Sequence, residues 1–203
     1  MATECQNLLL SSLTNYYKNH PSYKEKLYNI ISSKTKDCVS LRVLDWFVTH
    51  YAKSKQIIYW LDDSEDKVYF QYPNEIPQEK KQNIRQFNLY YDYRAQLQSY
   101  TKMYFDPFRR HDRISFPINQ DNSIIIETTV GQLNFFKWII YNHVLDYIYQ
   151  NINDIEHHMS LYQKSIKKLA GSPKSVIYDK NTKKDDQNLF HTITHVPCFL
   201  HFD

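Results

Sequence analysis

Arginine is scarce in this sequence, and five of its six arginines lie between Arg85 and Arg113. Three of them fall within residues 104–113 (YFDPFRRHDR), where guanidinium groups are flanked by aromatic rings. Arginine offers forked donors that fit phosphate oxygens and a planar face that stacks on bases. The run therefore predicts a surface that binds nucleic acid or another phosphate-bearing partner. The candidate binding residues are Arg85, Arg94, Lys102, Arg109, Arg110 and Arg113.

The same run has a structural alternative. Asp106 and Asp112 could pair with the neighbouring arginines and fix the junction between a helix and a hairpin, while Phe105 and Phe108 enter the core. A protein interface is a third interpretation. The formal net charge of +3 is too small to demand a nucleic-acid partner, so the sequence leaves all three open.

A second group of residues near the C-terminus has the side-chain types that bind zinc: His191, His195, Cys198 and His201. Alternate residues of a strand share one face, so the histidines would lie on one face and Cys198 on the other. We therefore expect no metal there, and no cofactor. With only two glycines the chain has no glycine-rich phosphate loop, and no catalytic motif is present. An enzymatic activity is not expected.

Composition indicates a globular protein. Hydrophobic residues make up 42% of the chain and charged residues 23%, which separates it from disordered sequences. No apolar run approaches the roughly 18 residues of a membrane-spanning helix, and no basic segment precedes the short apolar run near the N-terminus. We expect neither membrane insertion nor secretion. Three widely spaced cysteines fit a reducing compartment.

Short helices are predicted for residues 1–54, because apolar residues recur at helical spacing before and after Pro21. Ser40 is placed to cap a third helix. A β-hairpin follows, with strands at 56–61 and 67–72 joined by an acidic turn.

The middle of the chain, residues 55–128, is predicted to hold this hairpin, a central helix and a second hairpin. The helix spans 87–104, where apolar residues repeat with a period of 3.6. The second hairpin has strands at 113–116 and 123–128.

A helical pair is predicted for residues 129–170. Thr129 and Gln132 match a capping box, and the first helix is so apolar that it should be the most buried. After a break at Asn142 and His143, the second helix has apolar residues at heptad spacing. This seam could pair with a second copy, giving a homo-oligomer, or serve as the core face of one domain; we favour the core. The seam residues are Leu145, Ile148, Ile152, Ile155, Met159, Tyr162, Ile166 and Leu169.

Several motifs together resemble a known family. They are residues 41–49 (LRVLDWFVT), 105–108 (FDPF), 128–138 (TTVGQLNFFKW) and 144–148 (VLDYI). They resemble an uncharacterised family of nucleocytoplasmic large DNA viruses, the group of mimiviruses, phycodnaviruses and iridoviruses. The resemblance implies a viral origin, in the host-cell cytoplasm at a viral factory or in the virion. It implies no particular chemistry.

These observations predict one α+β domain over residues 1–203. Its two hairpins form a small antiparallel sheet, a long helix lies near the C-terminus, residues 171–189 are mobile, and residues 190–203 form a last strand. A mostly α-helical bundle is the alternative. The predicted function is non-enzymatic binding of nucleic acid or another phosphate-bearing partner through the arginine-rich region. The alternative function is a structural or virion-associated interaction module that uses the heptad helix to bind a protein partner.

Overall fold

The computed structural model of the chain describes residues 4–32, 39–71, 75, 84–119, 121 and 123–171. The predicted α+β class is confirmed. The helices are α1 Glu4–Asn19, α2 Pro21–Ser32, α3 Leu41–Trp46, α4 Ala52–Lys55, α5 Leu89–Tyr104, α6 Val130–Tyr141, α7 Val144–Gln150 and α8 Ile152–Gly171, with a π-helical segment, Phe47–Tyr51, between α3 and α4. The strands are β1 Ile58–Asp62, β2 Lys67–Tyr69, β3 Ile84–Asn88, β4 Arg113–Pro117 and β5 Ile125–Thr129.

The strands lie in two antiparallel sheets within the described residues, not in the single sheet expected. One sheet has the order β2-β1-β3, and the other is the β4-β5 hairpin. Strand β3 was missed because its pairing partner is distant in sequence. It pairs with β1 from Ile58 opposite Asn88 to Asp62 opposite Ile84, so it forms one edge of the three-stranded sheet. Asn88 then caps α5 by accepting a hydrogen bond from the backbone amide of Tyr91, so this helix begins later than predicted.

Helix α6 lies at the centre of the core, as its composition predicted. Nine of its twelve residues are buried, and seven of these belong to one apolar cluster to which residues of both α1 and α8 also contribute. Two buried tyrosines from earlier elements bond to the backbone here. The Tyr17 hydroxyl donates to the carbonyl of Leu133 at 3.0 Å, and the Tyr59 hydroxyl donates to the carbonyl of Asn142 at 2.7 Å. Burial raises the pKa of both hydroxyls, so they remain protonated donors.

The predicted cap of α6 is confirmed in one direction. The Thr129 side chain accepts a hydrogen bond from the backbone amide of Gln132 at 3.1 Å. The Gln132 side chain does not complete a reciprocal box. Its Nε2 donates to the carbonyl of Pro107 at 2.9 Å, and its Oε1 accepts from the Thr128 hydroxyl at 3.1 Å. The start of α6 is therefore tied to the loop that precedes β4.

The heptad helix is not continuous. The break at Asn142 and His143 is confirmed, but a second break at Asn151 separates α7 from α8. Asn151 has non-helical dihedral angles, and its side chain donates to the carbonyl of Tyr147 at 2.9 Å. Ile155 is fully buried, whereas Ile166 is 48% exposed, so the seam joins the core only in its first half. The predicted mobile segment 171–189, the strand 190–203 and the histidine and cysteine run lie almost entirely outside the described residues, with only Gly171 inside them.

Candidate phosphate-binding surface

The predicted arginine-rich run lies where α5 connects to β4. We call residues 102–113, from the end of α5 to the first residue of β4, the arginine junction. Phe105 anchors it, because its ring is 2% exposed and packs edge-on against Phe135 and Trp138, with ring centroids 5.3 and 5.7 Å away. The backbone amide of Asp106 donates to the carbonyl of Gly131. The charged side chains therefore project from a backbone that is fixed on α6.

Gly131 permits this close approach. A Cβ atom at this position would lie 3.0 Å from the backbone oxygen of Met103 and 3.6 Å from the Cβ of Arg109. The first distance is shorter than ordinary van der Waals contact. This close packing holds the arginine junction against the first turn of α6.

Four of the six candidate cations lie in the arginine junction. Arg109 pairs with Asp112 and Arg113 pairs with Glu127, each at 2.9 Å, and both pairs are solvent-accessible. Lys102 and Arg110 are exposed, and neither has an ion pair within the described residues. Exposed pairs contribute about 0–1 kcal/mol, so two of these cations are weakly paired and the other two have no ion-pair partner among the residues that the structure describes.

The structural alternative for this run is correct in part. Asp112 pairs with Arg109, and Phe105 is in the core, as that alternative required. Asp106 instead accepts a hydrogen bond from the backbone amide of Phe108 at 2.7 Å, which shapes the turn. Phe108 is 40% exposed. An aromatic ring therefore lies at the surface beside the arginines.

The other two candidate cations lie elsewhere. Arg85 on β3 bonds to Asp63 and to the side-chain oxygen of Asn142, each at 2.8 Å. Asn142 lies eleven residues after Gly131, about 16 Å along the axis of α6 at 1.5 Å per residue. Arg94 is exposed on α5, eight residues before Lys102 and separated from it by the non-helical Thr101. The structure thus does not bring all six cations together.

A cavity of about 340 Å³ between α5 and α6 was not predicted. We call it the α5–α6 cavity. Arg85 lies at one end of it, and polar residues of α6, including Asn134 and Lys137, line its wall. One sequence signal could have found it: the few polar residues of this apolar helix recur at helical spacing, so they must share a face.

A histidine between two carboxylates lies near the same end of α6. His143 Nδ1 is 2.7 Å from a carboxylate oxygen of Asp146, and Nε2 is 3.1 Å from one of Asp66, which also accepts from the Tyr23 hydroxyl. The hydrogen bond from His143 lowers the pKa of the Asp146 carboxyl. No group of His, Cys, Asp and Glu in the described part of the chain is arranged to hold a metal ion.

Comparison with known proteins identifies relatives without a known activity. The chain is 29% identical over 154 residues to the uncharacterized protein L507 of Acanthamoeba polyphaga mimivirus, a match that covers 74% of this chain and 52% of that protein. The chain thus spans about half the length of this relative. No solved structure matches, and within the residues described above no helix is long and apolar enough to cross a membrane.

The viral relative agrees with the predicted resemblance to an uncharacterised family of large DNA viruses. The match to a family extends over residues 68–196, which is more than half of the chain. The chain belongs to the family of unknown function DUF7197.

Proposed function

We propose that this protein is a non-enzymatic viral protein that binds nucleic acid or another phosphate-bearing partner through the arginine junction. The contacting side chains are those of Lys102, Arg109, Arg110 and Arg113. The observation that carries the proposal is that four solvent-accessible cationic side chains lie within twelve residues, from the end of α5 to the start of β4, and that the backbone between them is bonded to α6. A fixed backbone reduces the entropy lost when these side chains contact a ligand.

The carboxylates near these cations do not oppose binding strongly. Asp112 and Glu127 are 56% and 71% exposed, so their pairs with arginine are screened by solvent. A phosphate offers arginine the same forked acceptor geometry as a carboxylate. Phosphate can therefore replace either partner at low cost, and the existing pairs hold the guanidinium groups in place before the ligand arrives.

Phe108 adds a feature that a purely electrostatic surface would lack. Phe108 is 40% exposed and directly precedes Arg109 and Arg110 in the sequence. Aromatic rings beside arginine favour single-stranded nucleic acid, because unpaired bases stack on them. We therefore expect tighter binding to single strands than to duplexes. The relationship to a mimivirus protein suggests a setting in the host-cell cytoplasm, at a viral factory, or in the virion.

The test is a titration of single- and double-stranded DNA and RNA at two salt concentrations. Replacing Arg110 by Ala should weaken binding and flatten the slope of log K against log salt by about 0.9 for a duplex and about 0.7 for a single strand. Melting should be unchanged, because the side chain is exposed. Arg94→Ala is the matched control, since it removes the same charge from α5 outside the arginine junction. Absence of binding at low salt, or equal effects of the two variants, would contradict the proposal.

The exposed half of α8 favours a second candidate function, self-association. Leu161, Tyr162 and Ile166 are 51%, 41% and 48% exposed on this helix. Beyond the buried Ile155, the exposed Tyr162 and Ile166 continue the heptad spacing, which is the pattern by which like helices pair. The partner would be a second copy of the chain. Light scattering should then show a dimer that Ile166→Asp converts to a monomer, and a wild-type monomer at all concentrations would exclude this function.

A further inference from the structure

We propose that the α5–α6 cavity binds a small ligand that combines a planar ring with an anionic group, with a nucleoside monophosphate as the best-fitting class. This site lies toward the opposite end of α6 from the arginine junction. It does not depend on the function proposed above, because different residues form it.

Two helices and one strand build the cavity. Asp92, Gln96 and Tyr100 are spaced by four residues and so project from one face of α5. Asn134, Lys137 and Tyr141 likewise share one face of α6. The two polar faces lie opposite each other, and Arg85 of β3 together with Asn142 closes one end.

The polarity of this wall is unusual for its helix. Helix α6 has four polar side chains, and three of them, those of Asn134, Lys137 and Tyr141, line the cavity. Asn134 is only 5% exposed, and its Nδ2 donates to the carbonyl of Tyr104 at 3.0 Å. Its side-chain oxygen accepts no hydrogen bond from the described residues. This oxygen is therefore an acceptor available to a donor on a ligand.

The charges of the cavity favour an anion. Arg85 lies at its end and Lys137 in its wall, against the single carboxylate of Asp92. Asp92 is already engaged, because it accepts a hydrogen bond from the indole nitrogen of Trp138. The Lys137 ammonium lies 4.5 Å from the ring centroid of Tyr16. Burial lowers its pKa, and an anion in the cavity would offset that loss of solvation. The ion pair of Arg85 with Asp63 is solvent-accessible and can exchange for a phosphate.

The rings of the cavity favour a planar group. Tyr100, Trp138 and Tyr141 all contribute to its lining. The guanidinium of Arg85 lies 5.7 Å from the ring centroid of Tyr141, which is 41% exposed. A base that stacks on Tyr141 would thus place an attached phosphate near Arg85.

The size of the cavity limits the ligand. Its volume of about 340 Å³ lies near the lower end of the usual range for small-molecule sites, about 300–1,000 Å³. A single nucleotide fits this volume, and a dinucleotide or an extended strand does not. An aromatic carboxylate shares the same chemistry, so the experiment must separate these two sources of a planar anion.

The test uses the full chain and isothermal titration with AMP, adenosine, inorganic phosphate and benzoate. AMP should bind at least about tenfold more tightly than adenosine or phosphate alone, because both halves of the site are then used. Arg85→Gln should weaken AMP at least about tenfold and leave adenosine unchanged. Arg110→Ala, which removes an arginine outside the cavity, should leave AMP binding unchanged.

A second variant guards against a loss of folding in Arg85→Gln. Gln96→Trp fills the cavity from the α5 side, so it should abolish AMP binding while the melting temperature stays close to that of the wild type. Benzoate binding as tight as AMP, and lost in both variants, would support the site and assign a carboxylate as its anion. No binding of AMP or benzoate by the wild-type protein, or AMP binding unchanged in Gln96→Trp, would overturn the proposal.

Discussion

Replacing Gly131 by Ala tests the contact that fixes the arginine junction on α6. Two opposing effects decide the result. Alanine is a better helix former than glycine by about 1 kcal/mol in a helix interior, which would stabilise α6. The new Cβ, however, would lie 3.0 Å from the backbone oxygen of Met103, which destabilises the packing of α5 on α6.

We expect the steric effect to dominate, because the neighbouring atom belongs to the backbone and cannot rotate away. The next residue, Tyr104, has its carbonyl bonded to Asn134 at 3.0 Å, and Phe105 is buried. Overpacking of this kind costs about 1–3 kcal/mol. The gain of about 1 kcal/mol applies to a helix interior, whereas Gly131 lies in the first turn of α6, so only part of it is subtracted and the free energy of unfolding should fall by about 1–2 kcal/mol. For a chain of this size the melting temperature should fall by about 2–8 °C.

The assay is urea unfolding of the wild type and the variant, together with melting curves. Ser99→Ala on the exposed side of α5 is the matched control, since it improves helix propensity without creating a contact and should leave stability unchanged or slightly higher. Gly131→Val adds more volume at the same point and should be worse than Gly131→Ala. Stability of Gly131→Ala equal to or above that of the wild type would refute the close-packing argument.

Three further predictions concern other parts of the fold. Ile155→Asp should lower the free energy of unfolding by more than about 3 kcal/mol, because the side chain is fully buried. Leu161→Asp, at a position 51% exposed, should change it little. Equal effects of the two variants in urea unfolding would contradict the burial of the first half of the seam. In the folded state His143 lowers the pKa of the Asp146 carboxyl. The contribution of this pair to the free energy of unfolding should therefore be complete above the unfolded pKa of about 3.9, and it should be lost as the pH falls through the lower folded pKa. The difference in free energy of unfolding between the wild type and Asp146→Asn should therefore shrink below about pH 4. A difference independent of pH would show that the ionised Asp146 carboxylate does not stabilise the fold through His143. Thr101 has φ 59° and ψ 169° inside α5, backbone angles that strain threonine but that glycine adopts freely. Thr101→Gly should therefore raise the free energy of unfolding by about 1 kcal/mol. A melting temperature below that of the wild type would contradict the presence of this strain.

Features of the fold that depend on neighbouring residues could be predicted from the sequence. The caps at Ser40 and Thr129 each act on an amide three residues away, so the signal lies within one turn of helix. Strand β3 was missed because a strand of five residues is specified by its partner β1 as much as by its own side chains. The break at Asn151 was missed because the apolar spacing continues across it unchanged.

For the candidate sites too, what depends on residues close in sequence could be predicted, and what depends on distant residues could not. Arg109, Arg110 and Arg113 could be grouped from the sequence because they are adjacent in the chain. The position of Arg85 could not, since its partner Asn142 is 57 residues away. The α5–α6 cavity arises only when two helices are packed side by side, although the spacing of the polar residues in α6 indicates which face lines it.

The hydrogen bonds of Tyr17 and Tyr59 to α6 have a consequence for biosynthesis. These tyrosines bond to carbonyls 116 and 83 residues later in the chain. A ribosome adds about 5–20 residues per second, so their acceptors emerge on the order of ten seconds after them. Until then α1, α2 and β1 cannot bury the apolar side chains that pack around α6. The nascent N-terminal half therefore remains non-native until α6 has been synthesised. In that state Leu13, Leu27 and Phe47, which are buried in the folded protein, are accessible to chaperones or to other unfolded chains.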